Sequence, residues 1–126
     1  MPITFATVRQ IGLTLPGVEE GVSWGSPALK LRGKLLACIP THRSAEPGSL
    51  VVRVDFADRD ELLAAAPDVY YVKPHYVGYA CVLVRLARIT PEVLRDLLGM
   101  AHKFVGTQSR VRASSRRKLR RATRGE

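Results

Sequence analysis

The chain's 126 residues, 46% hydrophobic and 25% charged, suit one domain with one core and leave no room for two. Its formal charge of +9 is unevenly placed: residues 103–126 carry nine Lys or Arg against Glu126, while residues 1–102 carry eleven basic and ten acidic side chains. A nearly neutral body, residues 1–106, is thus followed by a basic tail, residues 107–126, and the absence of a leader-like or bilayer-length apolar run points to a cytoplasmic protein without membrane association.

Near the start, Phe5, Val8, Ile11 and Leu15 recur at three- and four-residue spacing, which predicts an amphipathic helix over 4–14 stopped by Leu15-Pro16-Gly17. In "SPALKLRGKLLACIP", Leu29 and Leu31 alternate with Lys30 and Arg32 before Gly33, the pattern of a β-hairpin over 28–39. The polar "THRSAEPGS" reads as a loop, and "SLVVRVDF" as a third strand. Asp58 and Glu61 have the spacing of a capping box, so a short helix is expected from Asp58 to Pro67. A strand-like "DVYYV", a turn at Lys73-Pro74-His75 and a strand from Tyr79 to Leu86 follow. Thr90 and Pro91 then open a helix whose apolar stripe is Leu94, Leu97, Leu98, Ala101, Phe104 and Val105.

The order α-β-β-β-α-β-β-α predicts an α+β fold of two layers, with helices packed on an antiparallel sheet. Strand alternation assigns Leu29, Leu31, Val52, Val54, Val82, Val84 and Leu86 to the helix-covered face. The opposite face then carries Lys30, Arg32, Arg53 and Arg85 among the apolar Val51, Cys81 and Leu83. Bases mixed with hydrophobes are unlike a solvated face, so a loop, a ligand or a second copy in a homodimer should cover part of it.

"LPGVEEGVSWGSPALKLRGKLLA", "SLVVRVDFADRDELLAA" and "YYVKPHYVGYACVLVRL" resemble, in order and spacing, the MmcQ/YjbR-like proteins of bacteria over about residues 5–105. That resemblance implies the same α+β arrangement. It also implies a likeness to double-wing DNA-binding domains and an association with mitomycin genes, and it supplies no catalytic residue set. Many relatives have a tryptophan just after the position of Tyr79, where this chain has Ala80-Cys81.

Enzyme signatures are missing. There is no Gly-x-Ser-x-Gly, no phosphate-cradling glycine loop and no His-Glu-x-x-His, and Glu19-Glu20 reads as a solvated loop pair. His42, His75 and His102 are scattered, and Cys38 and Cys81 lack metal or redox spacing, so neither metal nor cofactor is expected. The four tyrosines all fall between Tyr70 and Tyr79. Rings there pack a helix-to-strand connection, or Tyr70, Tyr76 and Tyr79 with His75 line a small-molecule pocket.

Cations concentrate in two places. Arg32 and Lys34 flank the Gly33 turn and Arg43 sits in the next loop, where wings would meet phosphates. In the tail, Arg116, Arg117, Lys118, Arg120, Arg121 and Arg124 would form a cationic ridge on a helix that folds on an anionic partner. The sequence thus predicts a non-enzymatic protein that binds DNA, or nucleic acid generally, with little sequence dependence. The alternatives are a small-molecule-binding module at the Tyr-rich segment and a protein-interaction module using the mixed sheet face.

Overall fold

A computed structural model describes residues 3–124, with side chains through Thr107. The elements are α1 (Phe5–Gly12), β1 (Val18–Ser23), β2 (Ser26–Leu31), β3 (Lys34–Cys38), β4 (Ser49–Arg53), α2 (Phe56–Ala65), β5 (Tyr70–Tyr71), α3 (Pro74–Val77), β6 (Cys81–Arg85), a 3-10 turn (Leu86–Arg88) and α4 (Pro91–Arg124). The change of composition at residue 107 falls within α4. Among the described residues no helix is long and apolar enough to cross a membrane.

The strands form one six-stranded sheet in the order β1-β2-β3-β4-β6-β5, with every neighbouring pair antiparallel. The α+β architecture expected from sequence is therefore present, with two additions. The segment expected to be a loop around Glu19 and Glu20 is strand β1, paired with β2 in the register Glu19↔Lys30 and Glu20↔Leu29. It escapes the alternation rule because an edge strand buries little, and Val18 is its only buried residue. The Lys73-Pro74-His75 turn is the entry to α3, whose first residue is proline, a position where the missing N–H costs nothing.

Two hairpins depend on left-handed backbone. Trp24 (φ 53°) with Gly25 (φ 79°) joins β1 to β2, and Arg32 (φ 51°) with Gly33 (φ 81°) joins β2 to β3. Both are two-residue loops with positive φ at each central residue, the geometry that matches strand twist. The cap of α2 also differs from expectation. Asp55, not Asp58, is the N-cap, and its Oδ1 accepts from the Ala57 N–H at 3.0 Å. The preceding strand ends at Arg53, and α2 begins at Phe56. At α4 the Thr90 hydroxyl accepts from the Val93 N–H, as expected of a cap.

All seven side chains assigned to the helix-covered face lie in the main core, together with Val8 and Ile11 of α1 and Leu94, Leu97, Leu98, Ala101 and Val105 of α4. Gly12 lets α1 approach β2 closely, since a Cβ there would strike Leu29 Cδ1. The opposite face has its own smaller core of Ala28, Cys38, Val51, Tyr71, Tyr76, Cys81 and Leu83. Of the three coverings the mixed composition allows, the fold supplies the loop over part of this face: Tyr76 of α3 and Ala45 of the segment between β3 and β4 pack onto it.

Candidate functional site

The covering is tied down by polar side chains, of which Ser49 and Tyr71 are buried and Arg85 and Glu46 partly exposed. The Tyr71 hydroxyl meets Ser49 Oγ at 2.5 Å and accepts from the Glu46 N–H at 2.8 Å. Arg85 donates from Nε and Nη2 to the two Glu46 carboxylate oxygens at 3.0 and 2.8 Å, and its guanidinium stacks over the Tyr71 ring. This bidentate pair holds the Glu46 carboxyl below its ordinary range. On the other side Arg59, 8% exposed, donates from Nη1 to the carbonyls of Val77, Tyr79 and Cys81 and so pins the chain from α3 into β6.

Beside this covering lies a cavity of about 640 Å³. Its floor is the sheet face at Leu35, Cys38, Val51 and Cys81. One wall is Ile39, Pro40, Thr41 and His42, and another is His75, Tyr76, Tyr79 and Ala80. Trp24, largely exposed, stands at the mouth with Ser23, and Arg53 completes the lining. The size and the mainly apolar, aromatic lining are those of a small-molecule site.

The two walls meet in an imidazole pair. His42 and His75 stack with centroids 3.7 Å apart and planes within 8°. The Ser44 N–H donates to His42 Nδ1 at 3.1 Å, which places the proton of the neutral ring on Nε2. Burial, then the neighbouring His75 and Arg43, push the His42 imidazole below its ordinary value, so at neutral pH it is an uncharged flat surface. Tyr76 sets its ring edge-on against both imidazoles.

The thiols on the floor are held protonated. Burial, reinforced by Cys81, pushes Cys38 up to about 11. Burial also raises Cys81, against the opposing pull of Arg53 and Arg59. Both are weak nucleophiles in this state. Nor do they form a disulfide: both are free thiols, on β3 and β6 with β4 between them, and Cys38 stands level with Leu83, two residues along from Cys81. Among the described residues no three His, Cys, Asp or Glu side chains converge as a metal site would need.

Trp24 is the most conspicuous side chain of the site. It is 90% exposed, and it occupies left-handed backbone, where a bulky L-residue costs about 1–2 kcal/mol. Tyr79, across the mouth, is 62% exposed.

The sequence-predicted residues separate accordingly. His75, Tyr76 and Tyr79 line the cavity, whereas Tyr70 faces the other way, into the main core, because adjacent strand residues point to opposite faces. Arg32 and Lys34 sit at the β2–β3 turn, and Arg43 follows the far end of β3, so the strand separates them and they form no single patch. Arg116, Arg117, Lys118, Arg120, Arg121 and Arg124 lie outside the residues whose side chains are described. Sequence reasoning missed Trp24, His42 and Arg53 as partners of the tyrosines. The usable signal was the mixed sheet face, which already set Arg53 beside Val51 and Cys81.

The YjbR family model matches residues 13–104, a span that takes in the whole sheet and every cavity wall. The chain belongs to the YjbR family. Among curated proteins it is 35% identical over 96 residues to the uncharacterized protein Rv2570 of Mycobacterium tuberculosis, covering 73% of this chain and 71% of that one. The same figures hold for the uncharacterized protein Mb2600 of Mycobacterium bovis. Among solved structures it resembles the Deinococcus radiodurans protein DR2400, a DUF419 domain, with a TM-score of 0.65 at 23% identity over 81% of this chain and 78% of that one. This last likeness establishes the shared fold. Ala80 and Cys81, which follow Tyr79 directly, both line the cavity.

Proposed function

We propose that the folded body of this YjbR-family protein binds a flat aromatic small molecule in the cavity on the sheet face away from α1 and α4, without turning it over. The observation that carries this reading is the mouth of the cavity, where Trp24 is both strained and exposed beside Tyr79. Strain and exposure of a large aromatic each cost stability, and positions that retain such costs concentrate at ligand sites. The stacked His42–His75 pair offers a second flat surface facing the same space.

Trp24 is the chain's single tryptophan and reports directly on occupancy. Titration with a neutral aromatic such as 2-naphthol should quench it with a Kd of about 10–100 μM, near 0.5 kcal/mol per ligand atom. Ala80→Trp, which fills the wall, should abolish binding by calorimetry without unfolding the protein. Unchanged affinity in that variant sinks the reading.

The concentration of charge supports a second activity in a different part of the chain. Residues 103–126 carry nine Lys or Arg against one Glu, which suits sequence-independent attachment to nucleic acid. A tail engaging about five to seven phosphates gives a log–log salt slope of about −4.5 to −6 with duplex DNA. Ending the chain after Thr107 should remove that binding, and equal affinity of the shortened and full chains overturns this second reading.

A further inference from the structure

Arg53 differs from the other arginines on its face of the sheet. Arg85 is clasped by Glu46, and Arg59 is buried, with its Nη1 directed at three backbone carbonyls. Arg53 donates only from Nε, to the Ala80 carbonyl at 2.9 Å, and the two ion pairs found among the described residues, Arg9–Glu20 and Arg85–Glu46, do not include it. The Nε bond fixes the plane of the guanidinium, whose carbon lies 5.7 Å from the centre of the Phe104 ring. Its two terminal nitrogens, a planar fork, have no hydrogen-bond partner among the described residues, and Arg53 is one of the residues that line the cavity.

The cavity contains nothing to neutralise that fork. No Asp, Glu or Lys lines it, and Arg53 is its one permanently charged residue. Arg59 lies just behind the wall at Tyr79 and Cys81, adding positive potential from the same side. A planar fork in a concave, largely apolar site matches one ligand group above others, the two oxygens of a carboxylate.

Resting on the reading of the cavity as an aromatic-ligand site, we infer that the ligand is an aromatic carboxylate whose anionic group is received by Arg53, with its ring held between the Trp24–Tyr79 mouth and the imidazole pair. Arg53 then sets specificity, selecting acids over their neutral counterparts. Hydrogen bonds to a charged partner discriminate by about tenfold or more.

The test uses the full chain and matched probes, 2-naphthoate against 2-naphthamide and indole-3-carboxylate against indole-3-carboxamide, titrated by calorimetry at pH 7.5. The wild type should prefer each acid by about tenfold or more. Arg53→Gln should erase that preference while leaving amide affinity within about twofold, and Arg53→Lys should retain part of it. Equal affinity of the wild type for acid and amide overturns the inference and leaves the aromatic pocket standing. An equal loss for both probes in Arg53→Gln also overturns it, since Arg53 would then only support the wall. Failure of every probe to bind overturns the pocket reading itself. The wild-type comparison needs no variant, so the inference stays testable even where Arg53→Gln does not fold.

Discussion

Against α1 and α4, the sheet buries Leu, Ile and Val side chains whose grip is almost wholly apolar, whereas its opposite face combines a small apolar cluster with Arg59, Arg85, Tyr71, Ser49 and a cavity. The first arrangement draws its strength from removed apolar area and close packing, near 25 cal/mol per Å². The second draws it from a few directional bonds. A surface held by directional bonds can stay open without collapsing, so one sheet can carry a stable core on one side and a binding space on the other.

The largest effect should separate the two faces by size. Leu98→Ala, in the main core, should cost about 3–4 kcal/mol in denaturant unfolding, against about 2 kcal/mol for Leu83→Ala, in the smaller cluster of the opposite face. Equal losses would break the comparison. Arg59→Met comes next, with about 2 kcal/mol lost because three carbonyls, that of Cys81 in a buried contact, forfeit their donor. Ligand affinity should fall with it, as the Tyr79–Cys81 wall loosens. Loss of stability with unchanged affinity would show that the wall does not depend on Arg59.

Trp24→Asn should act in the opposite direction on stability. Asparagine tolerates the left-handed turn conformation that tryptophan resists, so the variant should gain about 0.5–1 kcal/mol while binding aromatic ligands more weakly by calorimetry. A destabilised variant would remove strain from the account of the mouth.

The smallest effect is pH-dependent and confined to the cavity side. His42 has a folded value below its ordinary 6.5, so its contribution is complete above that pH and is lost as pH falls through the folded value. Glu46, lowered from 4.5, behaves the same way further into acid. Methyl signals of Val51 and Leu83 should therefore shift as pH drops from 7 to 5, and again below 4.5, while those of Leu94 and Leu98 stay fixed. His42→Gln should remove the first step and Glu46→Gln the second. Identical responses on both faces would contradict this assignment.

The main core was legible because β4, β6 and α4 each express one clean period, and burial on that face depends on that period alone. Strand β1 was not, since Glu19 and Glu20 stand in succession at a sheet edge where alternation has little to bury. The site was half legible. His75, Tyr76 and Tyr79 are neighbours in sequence, but Trp24, His42 and Arg53 reach them only through the folding of three separate connections. What covers the mixed face is settled by pairs such as Glu46–Arg85 and Ser49–Tyr71, and nothing in local spacing announces contacts across twenty to forty residues.

The two margins of the sheet have a consequence for how the protein meets other chains. On one margin, β1 presents adjacent exposed carboxylates followed by Gly21; on the other, β5 is only two residues long, and Arg85 Nη1 donates to the Pro67 and Asp68 carbonyls beside it. Neither margin offers a long, apolar template for an incoming strand. Recruitment by β-augmentation and edge-to-edge fibril growth are therefore both disfavoured at these two margins.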